Sequence, residues 1–176
     1  NQEIQDVDAK TNTLKMSFGD DVKADVLNVL PPMRAGNIAT QNGLNNSNKR
    51  WCQIDWLTYE STAVKNVHIL GDALQIAPAM PKSGHMANQH AKVCAAAVIA
   101  LLTGDVVNAT PMVANTCYSF IDDKNVVHVA SVHRYDAAQK TMVTVAGSGG
   151  LSADANRTEG IFANSWARNI WADMLA

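Results

Sequence analysis

The chain has 176 residues, 47% of them apolar, enough to bury one core or two small ones, which excludes a disordered tail. Its 14 basic and 16 acidic residues are interspersed and sum to a net charge of -2, so there is no electrostatic footprint for nucleic acid or an anionic membrane. The longest apolar run, Val93 to Leu102, is about half the length a bilayer span requires, and three well-separated cysteines, Cys52, Cys94 and Cys117, exclude a CxxC motif and a cysteine zinc site.

Three apolar or alternating runs open the chain, Ile4 to Val7, Thr13 to Phe18 and Val22 to Leu30, with Gly19-Asp20-Asp21 as turn chemistry before the third. They predict a β-meander. The third run is apolar enough to be a strand buried on both faces, stopped by Pro31-Pro32 because proline cannot donate to a ladder. Residues 41–50 are rich in Asn and read as an exposed loop. Trp51 to Asp55 then predicts a short strand, and Val67 to Leu70 a better one.

After that strand come Gly71-Asp72 and the segment Pro78-Ala-Met-Pro-Lys-Ser-Gly84. Ser83 is placed to cap a helix that Gly104 terminates, with Met86, Val93, Cys94, Val98, Leu101 and Leu102 at helical spacing and alanines permitting close approach to a sheet. A carboxylate at a strand end can accept hydrogen bonds from ribityl or ribose hydroxyls. A helix N-terminus, with unpaired amide protons and about half a positive charge, suits the pyrimidine edge of a flavin, and Lys82 would add a full charge there. The plain alternatives stand beside these: Gly71-Asp72 as a strand-to-turn signal and Lys82 as a solvated lysine. No Gly-x-Gly-x-x-Gly occurs in the chain, so the turn that holds a dinucleotide pyrophosphate is expected in a missing N-terminal half of a larger flavoprotein.

Beyond Gly104 the pattern changes to strands at Cys117 to Ile121, Val126 to His133 and Thr141 to Val145, with a turn at residues 122–125, which predicts an antiparallel sheet. Residues 147–150 read as a flexible connector, and a last helix repeats Phe162, Trp166, Ile170 and Met174 at i, i+4. The fold class is therefore α+β with an α/β remnant. Residues 1–104 would end a pyridine-nucleotide-like domain and supply the C-terminal part of an FAD-binding domain; residues 105–176 would form a small antiparallel-sheet-plus-helix domain. The five histidines do not assemble by spacing, and no metal is expected. Cys94 reads as structural and Cys52 is undecided. A lone cysteine in a strand, as Cys117 would be, is usually a small buried hydrophobe, and Trp166 and Trp171 are more often core than function.

Taken together, the run Val67-His68-Ile69-Leu70-Gly71-Asp72, the Met80-Pro81-Lys82-Ser83-Gly84 segment with Ala87-Asn88, Asn115-Thr116-Cys117-Tyr118-Ser119, Ser148-Gly149-Gly150 and Ser165-Trp166 resemble the flavoprotein subunit of flavocytochrome c sulfide dehydrogenase. The resemblance implies an FAD enzyme of the bacterial periplasm that oxidises sulfide and passes electrons to a c-type cytochrome subunit. By it, Asp72 with Gly71 binds the ribityl chain, Met80, Pro81, Lys82, Ser83 and Gly84 run along the flavin pyrimidine edge, and Trp166 lies near the flavin. Cys117 corresponds to one half of a redox-active disulfide beside the flavin, its partner lying in the missing half. Two other readings compete: a noncatalytic module that docks a cytochrome, and a sulfide:quinone reductase-like flavoprotein. The last would need a membrane-inserting C-terminal helix, for which Arg157 and Arg168 are too few basic anchors.

Overall fold

The computed structural model describes residues 2–175 and divides into two compact units, Asn1–Met33 and Arg34–Ala176. In the first, β1 (Ile4–Asp8), β2 (Thr13–Met16) and β3 (Val22–Lys23) form an antiparallel sheet in that order. Asp8 builds the first hairpin, because its carboxylate accepts from Lys10 N at 2.9 Å and from the Thr11 hydroxyl at 2.8 Å. The second turn is tied by Asp21, which accepts from Lys15 Nζ at 2.5 Å and from Met16 N at 3.2 Å.

The meander is present, but the long strand expected over residues 22–30 is not. Only Val22 and Lys23 pair, and Val26 and Leu30 are 86% and 89% exposed. The reason lies in the register. Lys23 is opposite Thr13, the first residue of β2, so any continuation of β3 would face the β1–β2 turn and find no ladder.

The second unit begins with α1 (Asn37–Gln41) and an irregular segment that carries much of the core: Ile54, Trp56, Tyr59, Leu74 and Met80, packed with Met86, Cys94, Val113 and Met142. Neither strand expected here forms. Residues 51–55 and 67–70 make isolated bridges instead, Cys52 with Leu74, Ile54 with Ser61 and Glu60 with His68. Tight turns intervene after one pair each: Thr58 and Tyr59 both donate to Asp55 O, and Tyr59 and Asn66 take positive φ, which no strand tolerates.

Helix α2 (Gly84–Thr103) has the expected ends. Ser83 Oγ accepts from Met86 N at 3.1 Å, and Gly104 closes the helix in the left-handed region at φ 79°. Of the expected stripe, Met86 and Cys94 are buried and Val93 and Val98 pack partly against the core, while Leu101 and Leu102 are exposed; His90, Ala97 and Ala100 complete the buried face. The alanines explain the change, since a helix packs closest along its smallest residues.

A four-stranded antiparallel sheet follows, built from β4 (Met112–Phe120), β5 (Val126–Asp136), β6 (Thr141–Thr144) and β7 (Gly150–Leu151). β4 is an edge strand. It pairs with β5 over nine positions, and β6 and β7 share the other side of β5. The stretch expected as a flexible connector at 147–150 thus ends in a strand residue, and Ser148 Oγ ties the preceding turn to Val132 N at 3.1 Å. Alternation along β4 puts Val113, Asn115 and Cys117 on one face and Thr116, Tyr118 and Phe120 on the other. α2 covers the first face through Met86 and Val113; α3 (Arg157–Leu175) covers the second, with Gly160 close to Lys124 and Val126. These two antiparallel sheets and the helices make an α+β protein, and the division expected at 104/105 runs through the second unit. No helix among the described residues is long and apolar enough to cross a membrane.

Candidate functional site

The start of α2, the middle of β4 and one side of α3 enclose an open cleft of about 450 Å³. Ser83, Gly84 and His85 form one wall, Thr116, Cys117, Tyr118 and Phe120 the floor, and Ala163, Trp166, Ala167 and Ile170 the other wall. Four residues expected from the sequence to act together, Ser83, Gly84, Cys117 and Trp166, are therefore gathered here although they lie up to 83 positions apart. The cleft is mostly apolar, and no carboxylate or lysine lines it.

Its polar groups are donors. Ser83 Oγ and Ser83 O satisfy the amides of Met86 and Ala87, which leaves Gly84 N–H and His85 N–H without partners among the described residues. His85 Nδ1 accepts from Thr116 N at 3.0 Å, so a neutral imidazole carries its proton on Nε2. Burial lowers the His85 pKa and keeps the ring in that neutral form. Trp166 Nε1 is buried with no acceptor among the described residues. The indole is held between His85, 5.3 Å away edge-on, and Tyr118, 5.8 Å away. An aromatic slot with two unanswered backbone N–H groups and the positive end of a 20-residue helix at its rim fits a flat ligand with acceptor oxygens and nitrogens along one edge, and a flavin is such a ligand.

Cys117 is half-buried and borders the cleft, its side chain on the Val113 and Asn115 face of β4 and opposite that of Tyr118, and it also borders a smaller groove of about 280 Å³ with Ser119, Val129 and Leu151. Its Sγ receives Asn115 Nδ2 at 3.3 Å. The other two thiols are elsewhere: Cys52 is fully buried beneath Trp51 and Cys94 sits in the main core, and burial raises both of their pKa values.

The remaining candidates stand beside this cleft without lining it. Gly71 and Asp72 form a 3-10 turn rather than a strand end, packed on the second turn of α2, where Gly71 N donates to His90 Nδ1 at 3.3 Å. Gly71 has φ +70°, and a Cβ there would stand 3.2 Å from that of Ala87. The Asp72 carboxylate is exposed and accepts no hydrogen bond from the described residues, so it is free to receive hydroxyls. Lys82 is committed: Nζ donates to Asp72 O at 2.5 Å and Leu74 O at 2.7 Å and stacks 3.7 Å over the Trp51 ring. Met80 is 2% exposed and anchors in the core, so it directs Pro81 and Ser83 to the cleft rim and offers a ligand no surface.

Sequence reasoning missed the polar brace behind the slot. His128 Nδ1 lies 2.8 Å from Glu159 Oε2, Ser152 Oγ donates to the same oxygen at 2.5 Å, and His128 in turn sits 6.1 Å from the Tyr118 ring. Those bonds hold the Glu159 carboxyl below its usual pKa, Ser152 contributing most. Residues 31 apart on different elements leave no periodic signal; only the 116/118/120 alternation against 126/128 could have suggested a shared face. The i, i+4 apolar stripe of α3 is also only partly core: Trp166, Ile170 and the 57% exposed Met174 line the cleft, while Phe162 is 56% exposed outside it.

Residues 109–175, which hold β4 through α3 and with them Cys117 and Trp166, match the family model described as flavocytochrome c sulphide dehydrogenase, flavin-binding. That stretch is similar to a flavin-binding domain of a flavin-dependent oxidoreductase family, in keeping with FAD as the cofactor, and the donor-lined slot is where its residues suit that cofactor.

Proposed function

We propose that this chain is the C-terminal part of an FAD-dependent sulfide dehydrogenase that works through a disulfide involving Cys117 and passes electrons to a c-type cytochrome in the periplasm. The observation that supports this most is the position of Cys117, a half-buried cysteine bordering the cleft that suits a flavin ring. Bound there, FAD would supply the two-electron acceptor. The chain's own residues would do the holding. Gly84 N–H and His85 N–H would take the acceptor atoms of the ring edge, with the Trp166 ring as a wall, and the Asp72 carboxylate would take the ribityl hydroxyls. The pyrophosphate loop and the second cysteine would come from polypeptide outside this chain. Hydrosulfide attacks the disulfide, forming a new S–S bond to one sulfur and breaking the old one, and the bonding pair leaves on the other sulfur as thiolate. A persulfide and a thiolate result, with the hydrosulfide proton kept on the persulfide.

The test is sulfide-dependent bleaching of flavin absorbance in the FAD-loaded protein completed by its second cysteine. Cys117→Ser is expected to retain its flavin and lose the bleaching; a serine variant that bleaches at the wild-type rate would overturn the disulfide route and favour a module that only docks the cytochrome.

A further inference from the structure

Asn115 connects the cap of α2 to Cys117. It is 2% exposed, so its amide is answered by protein groups and not by bulk water. The orientation of that amide follows from the serine beside it. Ser83 Oγ already accepts the Met86 N–H, so its own proton goes to Asn115, where Oδ1 accepts it at 2.5 Å. With the oxygen turned to Ser83, the amide nitrogen is turned to Cys117, and Nδ2 stands 3.3 Å from Sγ. The reverse contact, Sγ to Oδ1, is longer at 3.7 Å and would compete with Ser83 for the same oxygen.

We propose that Asn115 is a positioning residue for Cys117, its amide locked by the Ser83 cap so that it donates an N–H to Sγ and holds the sulfur in one direction. The proposal rests on Cys117 being the reactive thiol. The bond fixes the χ1 of Cys117, aiming the sulfur from a strand rather than a loop. The titratable groups on the neighbouring elements are His85 of α2, His128 of β5 and Glu159 of α3. His85 Nδ1 is taken by Thr116 N, and His128 and Glu159 are paired on the opposite face of the sheet. Among the described residues the amide of Asn115 is thus the polar group on Sγ.

The experiment measures the alkylation rate of Cys117 by iodoacetamide at fixed pH, the adduct located by mass spectrometry, in the 176-residue chain. Asn115→Leu is expected to slow it about tenfold at unchanged helical ellipticity. Ser83→Ala, which frees the amide to rotate, is expected to slow it by a smaller factor, and Ser83→Thr, which keeps both bonds, to leave it at the wild-type rate. If Asn115→Leu does not fold, the Ser83 pair decides. A Cys117 rate unchanged in Asn115→Leu and Ser83→Ala, with wild-type Cys117 still reacting well ahead of Cys94, overturns the role of Asn115 alone. Wild-type Cys117 reacting no faster than Cys94 overturns the reading of Cys117 on which it rests.

Discussion

At the residue scale, the structure turns on positions where one atom more or less is felt. Gly160 in the first turn of α3 is the sharpest. A Cβ there would come 2.1 Å from Lys124 O, a backbone atom at the β4–β5 turn that cannot swing aside. Gly160→Ala is therefore expected to cost about 3 kcal/mol or more, seen as a lower urea midpoint. If the midpoint shifts by less than a surface substitution would, α3 is not seated on β5 as described. Asp72 shows the opposite case. Its exposed carboxylate makes no hydrogen bond that folding depends on, so Asp72→Ala is expected to leave the urea midpoint within about 0.5 kcal/mol of wild type and to weaken FAD binding by roughly 1.5–3 kcal/mol. Unchanged flavin affinity in that variant removes Asp72 from the site. Residue chemistry of this kind was legible only in part. Ser83 stood out as a helix cap, and Cys117 and Trp166 only through the resemblance, but Asn115 did not, since a buried amide between a serine and a thiol has no spacing rule.

At the element scale, local signals were readable where an element closes on itself. α2 could be read from its cap at Ser83 and its glycine stop at Gly104, both backbone effects that need no partner. The β4–β5 hairpin was readable for the same reason, because Asp122 builds its own turn by accepting from Lys124 N and Asn125 N. Residues 22–30 and 67–70 were misread because an apolar run reports burial or its absence of polarity, and not whether a second backbone lies alongside. α2 also carries the main acid-sensitive group. His90 is 1% exposed, and burial, with His133 and Lys82 adding to it, pushes its pKa down to about 4 from 6.5. The native state then binds fewer protons than the unfolded one between those values. Stability is full above about pH 6.5 and falls as pH drops towards 4, by about 3 kcal/mol at most for this residue, with the lowered pKa values of His85 and His133 acting in the same direction. Urea titrations at pH 7 and pH 5 should show the lower midpoint at pH 5, and His90→Gln should shrink the difference. Equal midpoints at both pH values would mean that His90 is solvated in the native state.

At the scale of the whole molecule, the cleft exists because three separate segments meet, the rim of α2, the edge strand β4 and the inner side of α3. Proximity of that kind is not written in any one stretch; what the sequence carried was the resemblance, and residues 109–175 match the family at the domain level. The slot supplies donors for one ring edge and no cradle for a pyrophosphate, so FAD is expected to bind the 176-residue chain with micromolar or weaker affinity, no better than about -8 kcal/mol. A nanomolar constant by fluorescence titration would mean that the affinity resides here after all. The central claim, that Cys117 is an accessible thiol bordering the cleft proposed for the flavin, is tested most directly by alkylating the native chain with and without FAD and locating the adduct by mass spectrometry. Cys117 is expected to react well before Cys52 and Cys94, and to be slowed several-fold by FAD at concentrations that quench tryptophan fluorescence, since reactivity follows exposure. Alkylation of Cys52 or Cys94 at the rate of Cys117, or a Cys117 rate untouched by bound FAD, would contradict it.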